Sequence, residues 1–190
     1  MKRSLITACL YTVITAVILG IGYPLLMLGI AQAFFHDKAN GQLIVANNKV
    51  IGSRLIGQPF TGPGYFHSRV SNAGAGYDAQ ASSGSNLGPT SKALVDRIDA
   101  SVASERNASG PAPIDLVTAS ASGLDPDITP EAAFYQAARV AQARHLPQPV
   151  VARLVEQHII TRQFGLLGEA RVNVVALNLA LDQMPPMPKP

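Results

Sequence analysis

From Ser4 to Phe35 the chain runs for 32 residues without an Asp, Glu, Lys or Arg. About 20 helical residues cross the hydrocarbon core of a bilayer, so this stretch is long enough to span one. Lys2 and Arg3 before it, and Ala31-Gln32-Ala33 within it, imitate a secretory signal and its cleavage site. The apolar region of a cleavable signal is only about 7 to 15 residues, and the segment reads instead as an uncleaved anchor. Basic residues precede the span and none lies within it, so the positive-inside rule places the N-terminus in the cytoplasm and residues 36–190 outside. The chain thus divides into a cytoplasmic N-terminus with a transmembrane anchor (1–35), an extracytoplasmic domain (36–184) and a Pro-rich tail (185–190).

Two features of the span point to a packed subunit. Ala8, Thr12, Ala16 and Gly20 recur every four residues and line one helical ridge with small side chains, where a second helix can approach closely. Pro24, preceded by Gly20 and Gly22, lacks a helical donor and is expected to kink the helix. The one cysteine, Cys9, excludes an internal disulfide.

Beyond the anchor the charge nearly vanishes. Of 15 basic and 12 acidic residues, Lys2 and Arg3 account for two of the basic, leaving +1. The remaining Lys and Arg are scattered and Trp is absent, so the clustered cations and stacking rings of a nucleic-acid binder are missing. With 47% hydrophobic and 14% charged residues, the chain is also too apolar for a disordered polymer.

The pattern predicts a mixed α+β domain. Residues 42–45 and 49–51 flank Ala46-Asn47-Asn48 and predict a β-hairpin, since Asn tolerates the positive φ of a tight turn. Arg54–Gly57 continues the second strand past a bulge at Gly52, and Tyr65-Phe66 ends a short strand. Residues 61–91 form a long Gly/Ser/Pro/Asn loop. Leu94, Ile98 and Val102 predict a helix over about 91–106, and Ile114-Asp115-Leu116-Val117-Thr118 alternates as a strand. Thr129-Pro130-Glu131 supplies a cap, a first-turn proline and an acidic first turn for a helix to about Arg144. Another amphipathic helix begins near Val151 and ends near Gly165, and Asn173 caps a last helix that buries Val174, Leu177 and Leu181.

Little of this carries chemistry. Two Ser/Gly loops each lead toward a helix start, one containing Ser83, Gly84, Ser85 and Asn86, the other Ser120, Ser122, Gly123 and Asp125. Hydroxyls and bare amides in such a place can cradle an anion, but the same residues are ordinary loop and cap residues, and neither loop has the lysine of a P-loop. The four histidines lack metal-ligand spacing, and Ser85 has no adjacent base to activate it. Asp115, Asp125 and Asp127 could pair for acid/base work, although Asp125-Pro126 reads first as a turn and Asp127 as a solvated carboxylate. No catalytic residue, metal site or tightly bound cofactor is assigned. A membrane-anchored periplasmic hydrolase built on the Ser/Gly loops is the alternative.

The motifs Gly52-Ser53-Arg54-Leu55-Ile56-Gly57-Gln58, Tyr65-Phe66-His67-Ser68-Arg69, Gly84-Ser85-Asn86-Leu87, the run Leu116 to Asp125, Arg139-Val140-Ala141, Val172-Asn173-Val174 and the run Leu177 to Asp182 cover nearly the whole chain. Together they resemble the C subunit of the Kdp potassium-transporting ATPase; Val70-Ser71-Asn72 departs from the pattern, where a proline is expected after Arg69 and a small residue after Ser71. The resemblance implies a non-catalytic inner-membrane subunit with a periplasmic domain. Its partners would be a channel-like potassium subunit and a P-type ATPase subunit, and the chain itself has no DKTGT-like phosphorylation motif. It also implies a catalytic chaperone that raises the partner's ATP affinity, with Gln136 as the nucleotide contact and ATP engaged only alongside the ATPase. An outside domain cannot meet cytoplasmic ATP, so these two implications conflict.

Overall fold

The computed structural model describes residues 1–46, 48–105 and 110–184. The Pro-rich tail and Asn47 lie outside the described residues. Two compact units divide the chain, Met1–Ile51 and Gly52–Pro190.

In the first unit, α1 (Lys2–Val17), a π turn (Ile18–Gly22) and α2 (Tyr23–Phe34) follow one another as a single helix of 33 residues, with a mean hydropathy of 2.2 over its 18-residue apolar stretch. Pro24 does not end it. The Tyr23 N–H reaches back five residues to the Ile18 carbonyl, and this widened turn makes room for the proline ring. Apolar side chains face outward on all sides of the helix, as on a surface solvated by lipid. The hydroxyls of Thr7 and Thr15 donate to the carbonyls of Arg3 and Tyr11 four residues back, so neither needs water. The single turn α3 (His36–Ala39) follows, and Asn40 donates to His36 O (2.7 Å) and Gln32 Oε1 (3.1 Å). The expected hairpin is present as β1 (Leu43–Ala46) and β2 (Lys49–Ser53), with Asn48 at φ 57° in its turn. The second strand passes through Gly52 and stops at Ser53, where the hydroxyl accepts the Leu55 N–H; Arg54–Gly57 is a turn, not the expected continuation.

The second unit is built on three helices and a small antiparallel sheet. These are α6 (Pro130–Arg144), α7 (Gln148–Gln157) and α8 (Val174–Asp182), with strands β3 (Asp127–Ile128), β4 (Ile159–Ile160) and β5 (Arg171–Asn173) in the order β3-β5-β4. Ile128 and Ile159 both face Val172 across the sheet. Phe66, Ile128, Val140, Val151, Val155, Val172, Leu177 and Leu181 form the core, and Ala132, Ala133, Ala137 and Ala141 are buried on α6. The caps act as their sequence predicts. Thr129 Oγ1 accepts the Ala132 N–H, and Asn173 Oδ1 accepts the Ala176 N–H (2.9 Å), joining β5 to α8 without a loop. The expected helix over 91–106 is α4 (Lys92–Glu105).

Three further expectations fail locally. Ile114–Val117 is a helical turn, α5, rather than a strand: Ile114 is exposed while Asp115, Leu116 and Val117 are buried in succession, which no alternating strand does. The helix after Pro147 ends at Gln157 rather than near Gly165, because Ile159 and Ile160 pair with β5. Tyr65-Phe66 has no strand neighbour among the described residues.

Candidate functional site

Two side-chain amides take the place of that missing neighbour. The Phe66 N–H donates to Asn178 Oδ1 and Asn178 Nδ2 donates back to the Phe66 carbonyl, both at 2.9 Å. One residue on, the His67 N–H donates to Gln136 Oε1 (2.7 Å), and Gln136 Nε2 donates to the His67 carbonyl (3.2 Å). Asn178 and Gln136 are each 1% exposed. Gln136 Nε2 also donates to Ala132 O (3.3 Å) and its Oε1 also accepts from Arg139 (2.7 Å), so both donors and both acceptor sites of the amide are used.

Arginines fix the same strap from either side. Arg139 donates to the carbonyls of Pro63 (2.7 Å) and Tyr65 (3.0 Å). Arg144 donates to Gly64 O and to Asp182, each at 2.7 Å, and lies 4.5 Å over the Tyr65 ring, whose hydroxyl donates to Asp182 (3.2 Å). The motifs Tyr65 to Arg69, Arg139-Val140-Ala141 and Leu177 to Asp182, far apart in sequence, therefore meet in one clamp.

Further along the strap the two Ser/Gly loops lie against each other. Ser82 Oγ donates to Ser122 O (2.9 Å), and Ser71 Oγ donates to Gly123 O (2.6 Å). A Cβ on Gly84 would sit 2.9 Å from Ala121 O. The hydroxyls close their own turns: Ser120 Oγ accepts the Gly123 N–H (2.9 Å), Ser122 Oγ the Leu124 N–H (3.1 Å) and Ser85 Oγ the Leu87 N–H (3.4 Å), while Ser83 Oγ donates to Gly84 O (2.9 Å). Asn86 stands at φ 53°. The second loop enters β3 before α6 begins, so its amides do not form the helix N-terminus.

Beside Asp125 opens a cleft of about 230 Å³ lined by Arg69, Asp115, Asp125, Asp127, Glu169 and Arg171. Each of its carboxylates has a hydrogen-bond or ion-pair partner. Asp115 accepts the Thr129 N–H (2.7 Å), Asp125 meets Arg69 (3.3 Å) and accepts the Asp127 N–H (3.0 Å), and Glu169 pairs with Arg162. Asp127 is not the solvated carboxylate its sequence position implied: it is partly buried, pairs with Arg171 (2.9 Å) and accepts from Asn173 (3.1 Å). Spacing could have joined Asp125 and Asp127 across Pro126, but nothing local marks Arg69 or Arg171 as their partners.

Burial pushes the Asp127 carboxyl above its ordinary value of 3.8, outweighing Asn173 and Arg171, which lower it. The unfolded chain ionises this group first as pH rises, so its linkage term favours the fold at low pH and is lost between 3.8 and the raised folded value. Chemical denaturation of wild type and Asp127→Asn across that window is expected to show the wild type losing stability relative to the variant as pH increases.

The predicted ridge residues Ala8, Thr12 and Ala16 lie on α1 and Gly20 in the π turn, all exposed. A membrane-length apolar helix ahead of a mixed α/β unit fits a single-pass membrane protein. The chain belongs to the KdpC family: residues 5–183 match the family described as the K+-transporting ATPase, c chain. It is 62% identical over 178 residues to the potassium-transporting ATPase KdpC subunit of Acidobacterium capsulatum, covering 94% of this chain and 97% of that protein. The KdpC subunit of Koribacter versatilis is 57% identical over 192 residues with full coverage of both, and that of Gemmatimonas aurantiaca 54% over 189 residues, covering 97% and 94%.

Proposed function

We propose that this chain is a non-catalytic accessory subunit of a high-affinity, ATP-driven potassium-uptake complex in a bacterial inner membrane. The full-length match to KdpC subunits carries the reading. One helix cannot enclose an ion path, so the pathway belongs to a channel-like partner and ATP hydrolysis to a P-type ATPase partner. Lys2 and Arg3 favour an N-in orientation, with the folded unit periplasmic on the outer face of the ion-conducting subunit, where it stabilises assembly. ATP is then handled in the cytoplasmic partner, and Gln136 serves the fold instead of a nucleotide, since its amide has no free donor or acceptor. The serine contacts of the two loops, all to their own backbone or to each other, weigh against the hydrolase alternative.

Protease added to intact spheroplasts is expected to digest the folded unit, and co-expression with the other complex subunits to recover this chain with them. Full protection would overturn the orientation; absence from the purified complex would overturn the accessory role. The ridge makes a separate prediction. A side chain at Gly20 meets nothing within 4 Å in this chain, so Ala16→Leu with Gly20→Leu should leave the chain intact yet hold a partner helix away. Recovery of the complex in detergent is expected to fall, and unchanged recovery would remove the ridge from the interface.

A further inference from the structure

The hairpin joining β4 to β5 ends in a cluster of bare apolar side chains. Phe164, Leu166 and Leu167 are 86%, 82% and 60% exposed, and Ile160 at the base is 45% exposed. Singly exposed apolar residues are ordinary, but several on one protrusion mark a surface made to be covered. The turn is well made: Gln163 and Leu167 exchange backbone hydrogen bonds at 2.8 and 2.9 Å, Leu166 N–H donates to Gln163 O (3.1 Å) and Gly165 N–H to Arg162 O (3.1 Å). Phe164 holds φ 55°, an unfavourable conformation for an aromatic residue, and it gains no burial within its own fold.

We propose that this tip is an interfacial membrane anchor, in which Phe164, Leu166 and Leu167 enter the headgroup and upper acyl region of the phospholipid bilayer that the same chain's N-terminal helix spans. Four amides of the turn donate within it, so the tip can leave water without stranding those donors. Charge begins where the apolar tip ends, at Arg162, Glu169 and Arg171, the pattern of a segment whose base stays among headgroups. Both arginines are already ion-paired, to Glu169 and Asp127, which leaves the tip without the polar anchors that specify a protein partner and favours lipid as its occupant.

Residues 36–51 join the end of the span to the second unit, which keeps that unit near the bilayer. The inference holds for either orientation of the chain. Failure of the accessory-subunit reading would appear as loss of co-purification and would leave it untouched.

The sequence contains no Trp, so Phe164→Trp is a sole reporter and Ile114→Trp, on another element and 71% exposed, its aqueous reference. The full chain carrying either change is reconstituted into vesicles of phosphatidylcholine and phosphatidylglycerol with and without brominated acyl chains. Phe164→Trp is expected to emit further to the blue, to be quenched severalfold more by brominated lipid, and to be shielded from iodide; adding Leu166→Asp to it should reverse all three. Iodide access equal to that of Ile114→Trp would overturn the proposal. A tip that is aqueous in vesicles and shielded only after the other complex subunits are added would also overturn it, assigning the tip to a protein partner.

Discussion

Replacing Gln136 by leucine lowers the stability of the folded unit by about 3 kcal/mol, although the two side chains are similar in size. The substitution strands the partly buried His67 N–H and carbonyl, each worth up to about 1 to 3 kcal/mol when left unpaired. It also removes one acceptor from Arg139, which keeps the Pro63 and Tyr65 carbonyls. The Ala132 carbonyl loses little, because its side-chain donor supplements the helical bond. Burying the leucine returns part of the loss, which sets the net below the sum. For a unit of this size the change is roughly 10 °C in Tm, read on the detergent-solubilised full chain.

Gln136→Glu sharpens the test. An ionised glutamate still accepts the His67 N–H and pairs with Arg139 but sets a carboxylate oxygen against the His67 carbonyl, whereas the protonated acid can donate to it. Burial and that carbonyl raise the carboxyl's folded pKa against the lowering pull of Arg139; where they prevail, the variant regains stability relative to wild type as pH falls. A nucleotide-binding role forecasts something different: unchanged stability in Gln136→Leu together with a weakened ATP response of the complex.

What the sequence could announce was whatever depends on neighbours along the chain. The uncharged run from Ser4 to Phe35, the Thr129 and Asn173 caps and the hairpin flanking Asn48 are local signals, and each appears in the structure. Ile114 to Thr118 misled because five residues satisfy an alternating pattern and a single helical turn equally well, and only the consecutive burial of Asp115, Leu116 and Val117 decides between them. Strands of two or three residues, such as β4 and β5, are too short for any periodicity to register. The site was less legible still. Gln136 reads as one polar residue on a helix until His67 is brought beside it, and Asp127 reads as solvated until Arg171 and Asn173 arrive. The two Ser/Gly loops were visible separately, but their packing on each other was not, since a serine-rich loop looks the same in sequence whether it faces solvent or another backbone.

That packing yields the second large effect. Gly123 stands at φ +67°, and a Cβ there would lie 2.5 Å from Ser83 O and 2.7 Å from Ala73 N. Both are backbone atoms on separate stretches of chain, so no side chain can swing aside to make room. Gly123→Ala must therefore move one of three segments held together by Ser71 and Ser82. Left-handed strain of about 1 to 2 kcal/mol adds to about 1 to 3 kcal/mol of overpacking, for a total of about 2 to 5 kcal/mol. Gly165 supplies the internal reference. Its φ is +73° and no described atom lies within 4 Å of its would-be Cβ, so Gly165→Ala bears the conformational cost alone, about 1 to 2 kcal/mol. Urea denaturation of the two variants separates the terms, because they share a backbone conformation and differ in what surrounds it. Equal destabilisation would mean that the loops yield to a methyl group and that their contact is loose; the distances at Gly123, and the 2.6 Å hydrogen bond from Ser71 to its carbonyl, require the larger loss at that position.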